Sequence, residues 1–546
     1  MPNITINREY LLKLIGKKIE EKNLEEIIYK LGFEVERSDL NELTVEITSN
    51  RPDLFSAVGL ARAIRNFQHI NKTFNYSLHK KNLSSELTIS VDKTAEKSGL
   101  FISGFVIKNI SLTDVSLADI FNFSEKLSDT LGRMRKKMSI GIHNLDVIDK
   151  DILFILSEDE KFIPLRDNSQ RLYSDVVDNT EKGKLYRTAL PKSGLYPILK
   201  DSKGTLALVP IINSERTKVT PSTKNLFIEV TGTSSDLVEK ITNILATTCI
   251  DIGGDIFGID VKYTKKTKRC PDFDTNNILI PLLQIELELG IEIGFNNIIS
   301  LANKAGYEAA LLGKKIRFTV PSYRADIINE QDIIEDICIA YGYDYISPIS
   351  VPSILPGALS KNHELFESLS YAMVGAGFTE SMSTYLTNEQ RNFSMMNLDI
   401  PQKIDFIKLK DAKSSNLSMA RTWLMPSLLN VISISKHDKM PQKVFELDMV
   451  FKIYDNKPIE SYHLAGICTN SVSNFNDIKS IVESVLSASG FSFSIKETSH
   501  KSFIDGRCAA IIIDGIELGI MGELHPIVLS NFGIEEPSIG FEIELL

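Results

Sequence analysis

The chain has 546 residues, of which 43% are hydrophobic and 24% charged, a balance typical of a globular protein. This length is too great for one hydrophobic core and predicts roughly three to five domains. The net charge of -10 disfavours a broad nucleic-acid-binding face, because phosphate binding needs concentrated Lys and Arg. No apolar run reaches the roughly 18 residues of a membrane span and the N-terminus has no signal layout, so we expect a cytoplasmic protein with no membrane partner. The five cysteines form no CxxC pair, which argues against a disulfide framework or a thiolate zinc site.

Residues 1–85 are predicted to form a small N-terminal α/β module. The apolar spacing predicts strands at 4–7, 33–36 and 43–47 and helices at 8–15, 23–31 and 57–67. The sequence between the last strand and the last helix, Asn50-Arg-Pro-Asp53, has the composition of a turn followed by a helix cap.

Residues 86–260 are predicted to form a larger mixed domain. Strands are expected at 87–91, 101–107, 152–156, 206–212 and 226–230, helices at 115–131 and 235–247, and an exposed loop at 178–186. Glu229 and Thr231 alternate along one strand, so their side chains share a face. Two interpretations remain open for that face: a binding pocket, or the wet side of a half-buried strand. We interpret His143 as structural, since no Ser or Cys nucleophile with a partner can be assigned from the sequence.

Two basic runs lie in or next to this domain, at 133–137 and 262–269. Runs of this kind are more often solvated surface than RNA sites. RNA contact therefore stays open for both runs, and the sequence does not separate them.

Residues 270–347 contain the most informative pattern, four carboxylates around the start of one helix. Asp332, Glu335 and Asp336 are three and four residues apart and share a helical face, while Asp326 lies just before the helix. Like charges at this spacing repel by roughly 0.2–0.5 kcal/mol per pair. A hard cation would remove this repulsion, although a solvated acidic face is the alternative. Two short helices at 281–289 and 295–305 and a strand at 315–320 have a winged-helix-like order.

Residues 348–546 are predicted to form an antiparallel sheet with flanking helices. The chain contains no P-loop or GxGxxG phosphate cradle in this segment or elsewhere. The sequence therefore offers neither of these two standard phosphate-binding loops for a nucleotide.

Several separate motifs together resemble one family. They are Pro321-Ser-Tyr-Arg-Ala-Asp326, Asp332-Ile-Ile-Glu-Asp336, Tyr341-Gly-Tyr343, Asn50-Arg-Pro-Asp53, Leu131-Gly-Arg-Met-Arg-Lys-Lys137, Ile140-Gly-Ile-His-Asn144, Pro210-Ile-Ile-Asn213 and Phe227-Ile-Glu-Val-Thr-Gly-Thr233. Taken in chain order, these motifs resemble the β chain of phenylalanyl-tRNA synthetase in its shorter archaeal and eukaryotic form. The resemblance implies an α+β multidomain fold: the N-terminal module, an editing-type domain, a winged-helix-like domain, and a degenerate class II synthetase core.

The resemblance also implies a function and its residues. Together with an α chain, this chain would attach phenylalanine to tRNA(Phe). The resemblance implies a complex of two α and two β chains. The α chain would bind ATP and carry the aminoacylation chemistry. The resemblance implies a Mg²⁺ site shared with the α chain and an editing pocket for tyrosine wrongly attached to tRNA. Its metal ligands are Asp326, Asp332, Glu335 and Asp336, and its editing candidates are Glu229, Thr231 and Asn213.

The last segment departs from a working class II core, because residues 442–446 lack the expected arginine-glutamate pattern and the glycine-rich stretch at 519–526 lacks a following arginine. Two other functions remain as alternatives: a non-catalytic winged-helix scaffold or regulatory protein, and a free-standing hydrolase of mischarged tRNA. A DNA-binding regulator would need a basic recognition helix, and the sequence offers none, so we expect no DNA partner.

Overall fold

The structure, a computed structural model, describes residues 2–17, 19–70, 76–79, 87–351, 355–401 and 405–545. The chain divides into two units, Met1–Ser350 and Val351–Leu546. Both units combine helices with sheets, as expected for a mixed α and β multidomain protein. The predicted boundary at residues 85–86 lies outside the described residues. Within the described ranges, no helix is both long and apolar enough to cross a membrane.

The N-terminal module has a three-stranded sheet in the order β1-β3-β2. Its elements are β1 Asn3–Asn7, α1 Arg8–Ile15, α2 Glu21–Lys30, β2 Glu34–Ser38, β3 Glu42–Glu46 and α3 Ala57–Phe67. The side chain of Asn7 caps α1 by accepting a hydrogen bond from the Tyr10 amide, and Gly16 ends this helix with a φ of 75°. The hydroxyl of Ser56 caps α3 in the same way. Local capping residues therefore set these helix ends.

The middle segment forms a ten-stranded sheet with helices packed against it. Its elements are β4 Thr88–Val91, α4 Lys93–Lys97, β5 Phe101–Lys108, α5 Asp114–Asp129, β6 Met138–Asn144, β7 Asp151–Ser157, β8 Lys161–Phe162, β9 Arg171–Leu172, α6 Tyr173–Asn179, α7 Glu181–Tyr186, β10 Tyr196–Asp201, β11 Gly204–Leu208, β12 Ile212–Asn213, β13 Leu226–Gly232, α8 Ser235–Asp251, β14 Asp255–Lys262 and β15 Thr267–Cys270. The strand order is β12-β11-β10-β7-β4-β14-β5-β13-β6, and β15 pairs with β14. Strand β13 lies between β5 and β6, antiparallel to both. This central position buries every residue of β13.

The segment 178–186 is largely exposed, as predicted, but the prediction that it forms a loop is wrong. Helix α7 occupies most of this segment, with the Thr180 hydroxyl capping it by accepting from the Gly183 amide. Tyr186 at its end is buried in a small apolar cluster with Val176 and Val177. The polar composition concealed one apolar anchor, and tertiary packing of that anchor holds the helix.

The third segment of this unit has a three-stranded sheet, β16-β18-β17, packed against three helices. Its elements are β16 Asn276–Pro281, α9 Leu282–Leu289, α10 Phe295–Ala305, β17 Glu308–Leu312, β18 Lys315–Val320 and α11 Glu330–Tyr341. Helix α11 carries the acidic pattern. Its inner face, which includes Ile333, Ile334 and Ile337, is buried in the core of this segment.

The second unit is built on a seven-stranded sheet in the order β19-β22-β23-β27-β26-β25-β24. Its elements are α12 Lys361–Gly375, β19 Thr379–Glu380, β20 Leu386–Thr387, α13 Glu389–Asn392, β21 Met419–Ala420, α14 Met425–Ile434, β22 Gln442–Tyr454, β23 Lys457–Thr469, α15 Phe475–Ala488, β24 Phe493–Glu497, β25 Phe503–Ile513, β26 Ile516–Leu524, α16 Pro526–Phe532 and β27 Ser538–Glu544. The predicted antiparallel sheet is observed, apart from the parallel pairing of β19 with β22. Helices α12 and α15 contribute to one hydrophobic cluster, and α14 and α16 to a second.

Candidate functional site

Glu229 lies at the centre of a row that crosses three strands. On β13 it pairs with Gly104 of β5 on one side and with Gly141 of β6 on the other. Directly opposed residues in an antiparallel sheet point to the same face, so no neighbouring side chain flanks Glu229 in this row. A Cβ at Gly141 would overlap Glu229 Oε1 and lie 2.8 Å from His143 Nε2. The glycine therefore makes room for a carboxyl group and an imidazole over the same backbone position.

The Glu229 carboxyl is buried without a compensating cation. The side chain is 2% exposed, and its Oε2 atom has no hydrogen-bond partner among the described residues. Burial raises the pKa of Glu229 to about 8, because desolvation disfavours the charged form. At neutral pH the group is mostly a neutral carboxylic acid, which can donate a hydrogen bond as well as accept one.

His143 is fully buried beside this carboxyl. Its Nδ1 lies 2.8 Å from Thr217 Oγ1, and its ring stacks on Phe227. The Thr217 hydroxyl also lies 3.3 Å from the Ser214 carbonyl. When the hydroxyl donates to that carbonyl, His143 Nδ1 donates to Thr217 and Nε2 is left as an acceptor. Within the described structure Nε2 has no partner. Burial, and then the nearby charge of Arg216, lowers the pKa of His143 to about 3, which keeps the ring neutral.

The other two predicted pocket residues lie around this pair. Thr231 is on the same face of β13, one row along, and its hydroxyl is 2.9 Å from that of Ser139. Asn213 is on β12, and its Nδ2 donates to the Ile142 carbonyl of β6 at 3.2 Å. The structure thus places Glu229 and Thr231 on one buried face and Asn213 against the neighbouring strand. We refer to Glu229, Thr231, His143, Gly141 and Asn213 as the β13 chamber.

Sequence reasoning did not assign His143 or Gly141 to the chamber. The available signal was spacing: residues 141 and 143 alternate on one strand, so they face the same way. Only the pairing of β6 with β13 shows that this is also the face of Glu229. Thr217, the hydrogen-bond partner of His143 Nδ1, comes from a distant turn that the sequence pattern does not connect to it.

The four predicted metal ligands do not converge on one point. Two of them bind the same arginine: the Asp326 carboxylate accepts from Arg324 Nε and Nη2 at 2.9 and 2.7 Å, and Asp336 accepts from Nη2 at 2.6 Å. The Tyr307 hydroxyl also donates to Asp336. Arg324 is 5% exposed, so this is a buried ion-pair cluster. We call it the Arg324 cluster.

The charge of Arg51 extends the Arg324 cluster to the N-terminal module. Burial alone would raise the pKa of Asp326, but Arg324 and then Arg51 outweigh it and hold this pKa below its usual value. Arg51 itself forms a two-point ion pair with Asp53, at 2.9 and 3.0 Å. The motif residues Asn50–Asp53 therefore have a structural role that goes beyond a local turn.

The other two acids have separate environments. Asp332 accepts hydrogen bonds from the amides of Ile328 and Asn329 at 2.7 and 2.9 Å, as one half of a capping box with Asn329. Glu335 is exposed. Across the described residues, no group of three or more His, Cys, Asp or Glu side chains is placed to hold a metal ion. As placed in this chain alone, the four carboxylates do not fit one metal site.

In the second unit, the buried arginine Arg421 is paired with carboxylates of the same chain. Arg421 is fully buried and pairs with Glu446 at 2.6 Å and with Asp448 at 3.1 Å. It also donates to the Ser383 hydroxyl and the Met449 carbonyl. His525 is the N-cap of α16, where its Nδ1 accepts from the Ile527 amide. These contacts agree with a structural role for Arg421, Glu446 and His525.

Four domain families match consecutive parts of the chain. They are the Phe-tRNA synthetase beta subunit B1 domain at residues 1–70, the B3/4 domain at 119–247, the tRNA synthetase B5 domain at 278–343, and the phenylalanyl tRNA synthetase beta chain CLM domain at 349–545. The β13 chamber lies largely within the second of these ranges, and the acids of α11 lie within the third.

Full-length relatives and a solved structure agree with these matches. The chain is 33% identical to the phenylalanine–tRNA ligase beta subunit of Archaeoglobus fulgidus over 548 residues, which cover 100% of this chain and 98% of the relative. It is also 33% identical to the protein of the same name from Methanosphaera stadtmanae, covering 100% of this chain and 99% of that one. The crystal structure of an N-terminal fragment of the phenylalanyl-tRNA synthetase β-subunit from Pyrococcus horikoshii matches with a TM-score of 0.60 and 30% identity. This match covers 63% of this chain and all of the fragment.

Proposed function

The chain belongs to the family of phenylalanine–tRNA ligase β subunits, and we propose that its own chemistry is the hydrolysis of tyrosine wrongly attached to tRNA(Phe). As a β subunit it is part of an ATP-dependent enzyme that joins L-phenylalanine to tRNA(Phe), and its partners are an α subunit and tRNA. The proposal assigns ATP binding and amino-acid activation to the α subunit. It further places two α and two β chains in each cytoplasmic enzyme. The observation that carries the ligase assignment is similarity over the full length of the chain.

The hydrolytic proposal depends on the uncompensated carboxyl of Glu229. A tyrosyl group differs from a phenylalanyl group only by a phenolic hydroxyl, which both donates and accepts hydrogen bonds. The neutral Glu229 carboxyl is a donor, and we assign the role of acceptor to His143 Nε2 next to it. One hydroxyl can satisfy both groups, whereas a phenylalanyl ring would leave both buried and unpaired. A site of this kind can discriminate by about 10⁴-fold.

The remaining chamber residues are proposed to act at the ester end of the substrate. Hydrolysis needs a water held against the ester carbon. The paired hydroxyls of Thr231 and Ser139, and the amide of Asn213, are the polar groups that we assign to orienting that water and the ester. His143 is too weak a base at a pKa of about 3 to remove the proton itself, so its role is to position.

The test uses the co-expressed α and β chains and compares hydrolysis of Tyr-tRNA(Phe) with that of Phe-tRNA(Phe). We expect the wild-type enzyme to release tyrosine selectively. Glu229→Ala removes the donor and should reduce tyrosine release by about 100-fold or more. Glu229→Gln keeps a neutral donor of similar shape and should retain a larger part of the activity. Aminoacylation with phenylalanine, measured on the same samples, is the control for assembly, and unchanged tyrosine release by both variants would overturn the proposal.

The shared Mg²⁺ site stays a prediction about the assembled enzyme. Because Asp326 and Asp336 are already bound by Arg324, Asp332 and Glu335 are the two of the four predicted ligands that are more accessible to a cation. Mg²⁺ binding to the αβ complex, measured by calorimetry, should weaken in Asp332→Asn with Glu335→Gln. Equal Mg²⁺ affinity in that variant would remove both residues from the ligand set.

The DNA-binding regulator is not favoured. Helix α11 begins with acidic residues, and α10 carries one cation, Lys304, whose ammonium group donates to the Ala340 carbonyl and lies over the ring of Phe67. A helix that reads the major groove needs exposed cations to contact the phosphate backbone. Neither described helix supplies them.

A further inference from the structure

The turn between α5 and β6 has an unusual backbone. Three consecutive residues other than glycine, Arg133, Met134 and Arg135, have φ values of 50°, 54° and 60°. This left-handed conformation is sterically unfavourable for L-residues and is rare as a run. The surrounding backbone holds it in place: the amides of the three residues donate to the carbonyls of Thr130, Asp129 and Ser128 at 2.9, 3.1 and 3.0 Å. Strain that is held in this way is often found at functional positions.

Arg135 fastens the turn to the β13 chamber. Its Nη1 donates to the carbonyls of Pro210 and Ile211 at 3.0 and 3.1 Å, and these residues lead directly to Asn213. Its Nη2 binds Glu125 at 3.0 Å, and its guanidinium lies 4.0 Å from the centre of the Tyr186 ring. The charge of Arg135 is therefore compensated by contacts within the protein.

The other cations of the turn point outward. Arg133, Lys136 and Lys137 are exposed, and none of them forms an ion pair in the described part of the chain. The Lys137 carbonyl accepts from the Thr233 amide at 3.0 Å, which fixes this end of β6 next to the end of β13. At about 3.3 Å per residue, Lys137 is roughly 13 Å along β6 from Gly141. We call Arg133, Lys136 and Lys137 the basic turn.

The second basic run of the sequence differs in this respect. Lys268 is paired with Glu239, and Arg269 lies 3.3 Å from Asp260. Lys265 and Lys266 lie close to Glu96, whose pKa is lowered first by its hydrogen bonds with Thr264 and then by these two lysines. The run at 262–269 is thus largely compensated by nearby acids, whereas the basic turn is not.

We propose that the basic turn binds backbone phosphates of the single-stranded RNA end whose ester enters the β13 chamber. This proposal rests on the proposed hydrolytic function. An aminoacyl ester sits on the terminal ribose of its RNA, so the preceding phosphates must lie within a few nucleotides of the ester. The basic turn holds exposed cations on a rigid backbone at a comparable distance from the β13 chamber. Their positive charge complements the negative charge of these phosphates. The fixed backbone lowers the cost of ordering them around the RNA.

The binding test uses the co-expressed αβ enzyme and a short, labelled single-stranded RNA with a free 3′ end, measured by fluorescence anisotropy over a range of salt. The variant is Arg133→Glu with Lys136→Glu. The matched control is Lys265→Glu with Lys266→Glu, which changes the net charge equally on the other run. We expect the basic-turn variant to bind about tenfold or more weakly at low salt. The slope of log binding constant against log salt concentration should be shallower by about 1.4, because each of the two lost phosphate contacts contributes about 0.7.

The control should bind within about twofold of the wild type. Equal binding by the two variants, or equal losses in both, would overturn the proposal, provided that their unfolding midpoints match that of the wild type. This result does not depend on hydrolysis, so absence of tyrosine release from the wild-type enzyme would count against the proposed function alone. If the wild type does hydrolyse Tyr-tRNA(Phe), the basic-turn variant should show a raised KM with little change in kcat. An unchanged KM would also overturn the proposal.

Discussion

The β13 chamber and the Arg324 cluster both contain buried carboxyl groups in the same unit, yet they have opposite electrostatics. In the chamber, Glu229 has no cation, and its pKa is raised to about 8 by burial. In the cluster, Arg324 binds two carboxylates, and the pKa of Asp326 is lowered despite burial. Burial of an acid is therefore not by itself a sign of function. The partner decides whether the group is free to bind a ligand or is already committed to the fold.

Removing the cation from the Arg324 cluster should have the largest effect. Arg324→Met would leave Asp336 without its ion-pair partner and Asp326 with only the weaker influence of Arg51, and we expect a loss of about 3–5 kcal/mol in the free energy of unfolding. Urea unfolding of the full chain, followed by circular dichroism, measures it. Lys30→Met is the matched control, since it breaks the solvent-exposed pair with Glu26 and should cost at most about 0.5 kcal/mol. A loss of under 1 kcal/mol in Arg324→Met would contradict the assigned role of this cluster.

Filling the space over Gly141 should have the next largest effect, and it should act on the chamber alone. A methyl group in Gly141→Ala must displace the Glu229 carboxyl and crowd His143, at a cost of about 1–3 kcal/mol. We expect selective hydrolysis of Tyr-tRNA(Phe) to fall by roughly tenfold to a hundredfold, with aminoacylation by the αβ enzyme retained. The control is Gly357→Ala, where the added Cβ meets no atom within 4 Å. Wild-type hydrolysis by Gly141→Ala would show that the chamber does not hold the substrate.

The stability of the β13 chamber should depend on pH through the proton on Glu229, which distinguishes it from the Arg324 cluster. The folded chain keeps this proton up to a pH of about 8, whereas the unfolded chain releases it near the ordinary pKa of 4.5. The contribution of Glu229 to stability is thus complete below pH 4.5 and falls as the pH rises towards 8. In thermal unfolding, the midpoint temperature of Glu229→Gln should rise relative to that of the wild type as the pH increases from 5 to 9. A difference in midpoint that is constant over this range would mean that Glu229 is ionised in the folded protein.

The smallest effect is expected at Glu335, which shares the acidic helix with Asp336 but is exposed. Glu335→Gln should change the free energy of unfolding by no more than about 0.5 kcal/mol, measured by the same urea titration as Arg324→Met. The contrast tests whether the acidic pattern is one site or two environments. A loss in the free energy of unfolding comparable to that of Arg324→Met would mean that Glu335 is part of the Arg324 cluster.

Many of the helices and strands, and the shared face of Glu229 and Thr231, could be predicted, because they depend on spacing along one element. Strands β6 and β14 and helix α7 were not predicted. The spacing of the acids on α11 was equally clear, but it did not show that Arg324 turns back to bind two of them. That contact requires the fold of the preceding turn, and the charge of Arg51 acts on Asp326 from a position 275 residues earlier in the chain (326 − 51). Partners of this kind arise from tertiary packing, which a local pattern does not encode.

The two basic runs show the same limit in a different form. From composition they are equivalent, and the acids that neutralise the second run come from residues 96, 239 and 260. Likewise, the role of His143 depends on the proton of Thr217 and on the pairing of β6 with β13. Charge and protonation at each position were set by neighbours that only the folded chain brings together.

The salt bridge between Arg62 and Asp251 has a consequence for how this chain tolerates being cut. Arg62 belongs to the N-terminal module, Asp251 ends α8, and their charged atoms are 2.7 Å apart with side chains 3% and 8% exposed. Tyr76 also donates to Asp251, and Arg51 faces Asp326. A protein lacking the first 70 residues would leave Asp251 without Arg62 and Asp326 without the charge of Arg51, at positions that are largely shielded from water in the intact chain. Residues 1–350 should therefore unfold cooperatively as one block, and shorter expression fragments of this half should be insoluble or molten even when they follow apparent domain limits.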